Sequence, residues 1–169
     1  MAGSLIKINT ATVSGTPTTL KVTGIDSTYD VYIVQVKNLI PSSDDTIGWR
    51  VTKGGSIQSD SEYDNARKDM PTAASFQENE AKNADGVTNA DIESTGNGFF
   101  ATFYLFNFNN SSEYSFITVE ESTFNTAQQL TGRQGGGVHT VASASDGIQF
   151  LMESGNIDNG TFTLYGLKK

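Results

Sequence analysis

Gly147-Ile-Gln-Phe-Leu-Met-Glu-Ser-Gly155, then Asn156 to Gly160, then Thr161-Phe-Thr-Leu-Tyr-Gly-Leu167, is the stretch that decides how this chain is read. On its first arm Ile148, Phe150 and Met152 share one parity, while Gln149, Leu151 and Glu153 share the other. On the second arm Phe162 and Leu164 alternate with Thr161, Thr163 and Tyr165. Such period-2 alternation marks half-buried strands. Gly155, Asn156 and the pair Asn159-Gly160 tolerate the backbone of a tight connection. The stretch therefore reads as a β-hairpin whose turn lies between Gly155 and Gly160. Its second arm ends two residues before Lys169, and a strand in that position is expected to be paired into the sheet.

Working outward, 169 residues suit one domain, 1–169, large enough to bury a core. A hydrophobic fraction of 36% is low, but ten Phe and six Tyr supply bulky residues that favour strands. Seventeen Gly and many Ser, Thr and Asn suit numerous turns, and helix formers never cluster at helical spacing. The fold class expected is all-β. A net charge of −8 disfavours a phosphate backbone as partner, and the eleven Lys and Arg are scattered rather than gathered into a patch. No apolar run approaches the roughly 20 residues that span a bilayer. Met1 to Asn9 lacks the charged and apolar blocks of a signal peptide, so synthesis in a cytoplasm without cleaved export is expected. The absence of Cys removes disulfides, thiol nucleophiles and Cys-based zinc sites together.

Strands are expected at Leu5–Asn9, Thr18–Thr23, Tyr29–Leu39 and Ile47–Thr52, the third apolar on both faces. Gly98–Asn109 holds Phe-Phe-Ala-Thr-Phe-Tyr-Leu-Phe-Asn-Phe and must be a central or interface strand. Tyr114–Glu120 and Val138–Ser143 follow, with Gly135-Gly-Gly137 as a flexible break between them. With the closing arms there are about nine strands, as in a two-sheet β-sandwich with jelly-roll-like connections. Residues 56–97 are polar and Asn/Asp/Ala-rich, and read as a long surface insertion with a short helix over Ser61–Lys68.

Chemistry is thinly marked. His139 is the only histidine; it could pair with Asp146 or Ser145, but no nucleophile-elbow motif accompanies it, and it fits a strand or interface position better. Asp60-Ser-Glu62-Tyr-Asp64 begins like a calcium loop, yet Asn65 stands where Gly is needed and Pro71 where the bidentate Glu should be. Asp85 to Glu93 is as loose. Gly135–Gly137 lacks the Lys-Ser/Thr and the helix of a phosphate cradle. No spacing of carboxylates selects a glycosidase pair. No catalytic residue, cofactor or metal is expected, and the large residues on both parities of 29–39 and 99–108 point instead to contact between chains.

Leu20-Lys-Val-Thr-Gly-Ile-Asp-Ser-Thr-Tyr-Asp-Val-Tyr32, Tyr104-Leu-Phe-Asn-Phe-Asn-Asn-Ser-Ser-Glu-Tyr-Ser-Phe116 and Gly135-Gly-Gly-Val-His-Thr-Val-Ala-Ser-Ala-Ser-Asp-Gly-Ile148 resemble short virion proteins of tailed bacteriophages, marine ones in particular. The closing Ser154–Leu167 is also similar to the ends of phage fibre and spike modules. The likeness covers most of the chain outside 56–97 and carries over no functional residues. It implies a non-enzymatic virion component. The expectation is a capsid decoration or cement protein on the head exterior, bound to the major capsid protein and forming a homotrimer. Shortness favours this, since no attachment region or shaft precedes the strands. Contact residues are expected in the N-terminal arm (Leu5, Ile6), the 56–97 segment (Tyr63, Phe76), the aromatic strand (Phe103, Phe106, Phe108) and at His139. The alternative is a tail-fibre or receptor-binding tip that holds host glycans on Trp49, Tyr63 or Tyr165. A glycan hydrolase fragment is a third, weaker reading.

Overall fold

The computed structural model describes residues 4–168; Met1 to Gly3 of the N-terminal arm lie outside the described residues. Among the described residues there are thirteen strands and no helix. They are β1 (Ser4–Thr12), β2 (Thr19–Thr23), β3 (Val31–Pro41), β4 (Asp45–Lys53), β5 (Ser56–Ile57), β6 (Tyr63–Pro71) and β7 (Gln77–Ala84). The others are β8 (Val87–Ile92), β9 (Phe99–Phe106), β10 (Ser115–Phe124), β11 (Leu130–His139), β12 (Gly147–Met152) and β13 (Ile157–Lys168). Eight form one antiparallel sheet in the order β1-β13-β3-β9-β10-β11-β6-β7; the second sheet runs β2-β12-β4-β5, with β8 also on β4. The two pack face to face as a β-sandwich.

The closing stretch is not a hairpin. β12 pairs with β2 and β4, whereas β13 pairs with β1 and β3, so the chain crosses from one sheet to the other between Met152 and Ile157. The parity expected for each arm holds, because Ile148, Phe150, Met152, Phe162 and Leu164 are all buried. They meet across the core rather than side by side: Phe150 lies 4.9 Å from Phe162 and 5.2 Å from Phe103, ring centre to ring centre. Burying each such side chain contributes about 1.5–3 kcal/mol, which fixes the two arms to opposite sheets. Asn159-Gly160 sits inside β13, at an irregularity in its pairing with β3.

The crossing is fastened by Asp45, at the start of β4. Its carboxylate accepts hydrogen bonds from the backbone N–H of Ser154 (3.2 Å), Gly155 (2.5 Å) and Thr46 (2.7 Å). Ser42 N–H donates to the Asn156 carbonyl at 2.9 Å, tying the same corner to the end of β3.

Residues 56–97 also depart from expectation. They are not a loop but supply β5, β6, β7 and β8, which are the strands beyond the expected nine. Ser61–Lys68 enters strand β6 instead of a helix, and β6 extends the larger sheet beyond β11. Gly135–Gly137, expected as a break, lies inside β11 and pairs with both β10 and β6.

Candidate functional site

Strands β9 and β10 alternate strictly. Phe99, Ala101, Phe103 and Leu105 face the core with Ile117 and Val119, while Phe100, Tyr104 and Phe116 face outward and are 46%, 37% and 46% exposed. The ladder register sorts these outward residues into rows running across the strands. One row passes through Phe106, Phe116 and Val138, with Val31 opposite Phe106; Leu5 and Leu167 pair at the same end of the sheet. The next runs Lys7, Tyr165, Ile33, Tyr104, Thr118, Gly136. The third is polar: Thr10, Thr163, Gln35, Thr102, Glu120, Gln134.

The outer face is thus apolar at one end and polar at the other. Ile33 shows how dense the apolar end is. It belongs to no part of the sandwich core, yet Tyr165 and Tyr104 on either side leave it only 5% exposed. At the polar end Gln35, Lys37, Thr102, Glu120 and Ser122 surround a shallow concavity of about 420 Å³ that Phe100 also lines. A second exposed feature is the β6–β7 hairpin, whose turn carries Phe76, 63% exposed and the most open large apolar side chain among the described residues. Lys68 Nζ lies 5.9 Å from its ring centre.

Inside the sandwich, the same strands hold charge. Arg133 on β11 lies 3.3 Å from Asp69 and 3.7 Å from Glu121, close enough for ion pairing though not aligned as hydrogen bonds. Arg67 Nε donates to Asp69 at 3.0 Å, Asn79 donates to the other Asp69 oxygen at 3.0 Å, and Asn89 donates to Glu121 at 2.7 Å. Trp49 Nε1 completes the chain by donating to Asn89 at 3.0 Å. Burial pushes the Glu121 carboxyl up to about 7, against the opposing pull of Arg133 and the Asn89 hydrogen bond. The triple glycine belongs to this arrangement. Gly135 and Gly137 face inward, where a Cβ would stand 2.5 Å from Arg67 Cβ and 2.8 Å from the Trp49 ring. Bare backbone there is what lets Trp49 and Arg67 lie over β11.

The residues expected to make contacts divide sharply. Leu5, Ile6 and Phe76 are exposed, and Phe106 is half-buried on the outer face. Tyr63, Phe103, Phe108 and His139 are buried and unavailable to a partner. Tyr63 is a core residue whose hydroxyl donates to the Gln58 carbonyl (2.8 Å) and accepts from Val51 N–H (3.0 Å); burial pushes its pKa up to about 12. His139 packs against the Tyr63 ring, with Nε2 3.3 Å from Glu62, and burial lowers its pKa. It makes no hydrogen bond to Asp146, which accepts from Thr52 and Gly55, nor to Ser145, whose hydroxyl lies 3.4 Å from that of Ser115, the cross-strand partner of His139. Of the residues proposed to hold sugars, Trp49 and Tyr63 are core and Tyr165 is half-buried on the outer face.

The oxygen-rich loops do not converge. Asp64 accepts from Asn83 N–H, Asp85 pairs with Arg50 at 2.7 Å, and Asp91 accepts from Thr46. Among the described residues no group of three or more His, Asp or Glu side chains is arranged to hold a metal ion. The apolar rows that form the candidate surface were only half visible in the sequence. Their aromatic members were plain, but Leu5, Leu167 and Val138 join them only through register.

Compared with known proteins, the chain matches no family model, no curated protein and no solved structure.

Proposed function

We propose that this chain is a structural protein of a tailed-bacteriophage virion that decorates the outer head surface and cements the major capsid protein beneath it. The observation that carries the reading is the β6–β7 hairpin at the edge of the eight-stranded sheet, whose Phe76 is the most exposed large apolar side chain among the described residues. An exposed aromatic beside a lysine stem is the kind of side chain that anchors in a pocket on another chain. The resemblance of residues 20–32, 104–116, 135–148 and 154–167 to phage virion proteins supplies the class of partner. Copies arrayed on a shell multiply a modest contact by symmetry, so a small module suffices to brace it. The protein acts without catalysis, cofactor or nucleic acid, and is made in the host cytoplasm before joining the particle. Stripping it from virions and heating the capsids tests the cementing role. A capsid that opens at lower temperature after stripping is the expected result; an unchanged capsid overturns cementing.

The polar concavity beside Phe100 favours a second reading, a tail-fibre or receptor-binding tip that holds host glycans. An exposed ring beside Gln, Lys, Glu and Ser side chains has the composition that stacks on a pyranose and grips its hydroxyls. Binding on a glycan array, abolished by Phe100→Ala, would support this second reading; a uniformly silent array overturns it.

A further inference from the structure

We infer that the apolar end of the outer face pairs with the same face of a second copy of this chain, about a two-fold axis running along the strands between β3 and β9. The register makes the face self-complementary. Such an axis reverses the strand order while keeping each row on itself, so β1 lies over the partner's β11, β13 over β10 and β3 over β9. Ile33 then meets the partner's Tyr104, and Val31 the partner's Phe106. With the strands aligned, Leu5 lies opposite the partner's Val138 and Lys7 opposite the partner's Gly136. Aligned packing of two sheets turns one against the other by about 30°, so the pairs beside the axis keep their partners while those at β1 and β11 slide by about one row.

Area and charge agree with this occupant. Six strands about 4.8 Å apart, over the six residues that the three rows span at about 3.3 Å each, present a face of roughly 570 Å². That is below the roughly 800 Å² per partner of a standard interface and in the range of a weak, reversible dimer. The two apolar rows would form its dry centre, and the Thr10–Gln134 row its polar rim, as interfaces are built. Copies of a chain with net charge −8 repel one another over most of their surface. Within the two apolar rows, from β1 to β11, the one formal charge is Lys7, a cation at the margin, so copies can approach there.

Light scattering after size exclusion, at about 100 μM so that a micromolar Kd is well exceeded, reads the outcome directly. The expected mass is twice the 18.1 kDa of the chain. Tyr104→Asp and Phe116→Asp, both on outward side chains, are expected to elute as folded monomers that keep a single cooperative melting transition, and Phe76→Asp at the hairpin tip as a dimer. If either aromatic variant unfolds, Thr118→Arg gives the same readout from an exposed neighbour of Tyr104. A monomeric wild type, a trimer, or a dimer that survives Tyr104→Asp and Thr118→Arg overturns the inference. None of these results depends on the chain being a virion protein, since the capsid-heating experiment addresses that separately.

Discussion

At Gly137 an added Cβ would meet the Trp49 ring at 2.8 Å, and at Gly135 it would meet both Arg67 Cβ and the Ala66 carbonyl at under 3 Å. Neither neighbour is a loose side-chain tip, so the inserted methyl must displace packed groups, at about 1–3 kcal/mol. Urea denaturation of Gly137→Ala should show that loss, and an unchanged midpoint would contradict the packing described. Glu121 sets a pH dependence of definite sign. Burial raises its pKa from 4.5 to about 7, so between those values the folded chain keeps a proton that the unfolded chain has released. Its stabilising contribution is full below about pH 4.5 and is lost as pH rises through about 7. His139 acts in the opposite sense: its lowered pKa favours the neutral ring, so its contribution is present above about 6.5 and fades as pH falls below that. Glu121→Gln removes the first effect alone. Relative to wild type it should be more stable at pH 8 than at pH 5, by on the order of 1–3 kcal/mol, and equal differences at both pH values would contradict the assignment.

At the scale of elements, the parity of each closing arm was readable but its partner was not. Alternating Ile148, Phe150, Met152 and Phe162, Leu164 look the same whether two strands lie side by side or face each other across a core. What separates the cases is the corner at Ser154–Asn156, held by the Asp45 carboxylate far away in sequence. Asp45→Ala leaves those N–H groups without their acceptor in a partly buried corner, and should cost about 2 kcal/mol. A thermal melt matching wild type would show that the crossing does not need this fastening. Strand β6 was missed for a related reason. Its inward positions Tyr63, Asn65, Arg67 and Asp69 are mostly polar, because they face the Arg133–Glu121 charges rather than hydrocarbon. The signal present was complementary charge at alternate positions, which an apolar pattern does not register. Strand β7, exposed along nearly its whole length, carries no core pattern at all.

For the whole molecule, the all-β sandwich followed from composition and alternation, since aromatic residues at period 2 have few other ways to be buried. Which aromatics were left outside did not follow. Phe103 and Phe106, three residues apart on one strand, point to opposite faces, and only the ladder register separates core from surface. The corrected surface places Leu5, Phe106, Tyr104 and Phe116 together and withdraws Tyr63, Phe103, Phe108 and His139 into the interior. The central claim, that this chain serves a virion shell, is tested most directly by gold-labelled antibody against the chain on intact particles viewed by electron microscopy. Label distributed over the head is the expected result, and label confined to the tail tip, or absent from the particle, would contradict it.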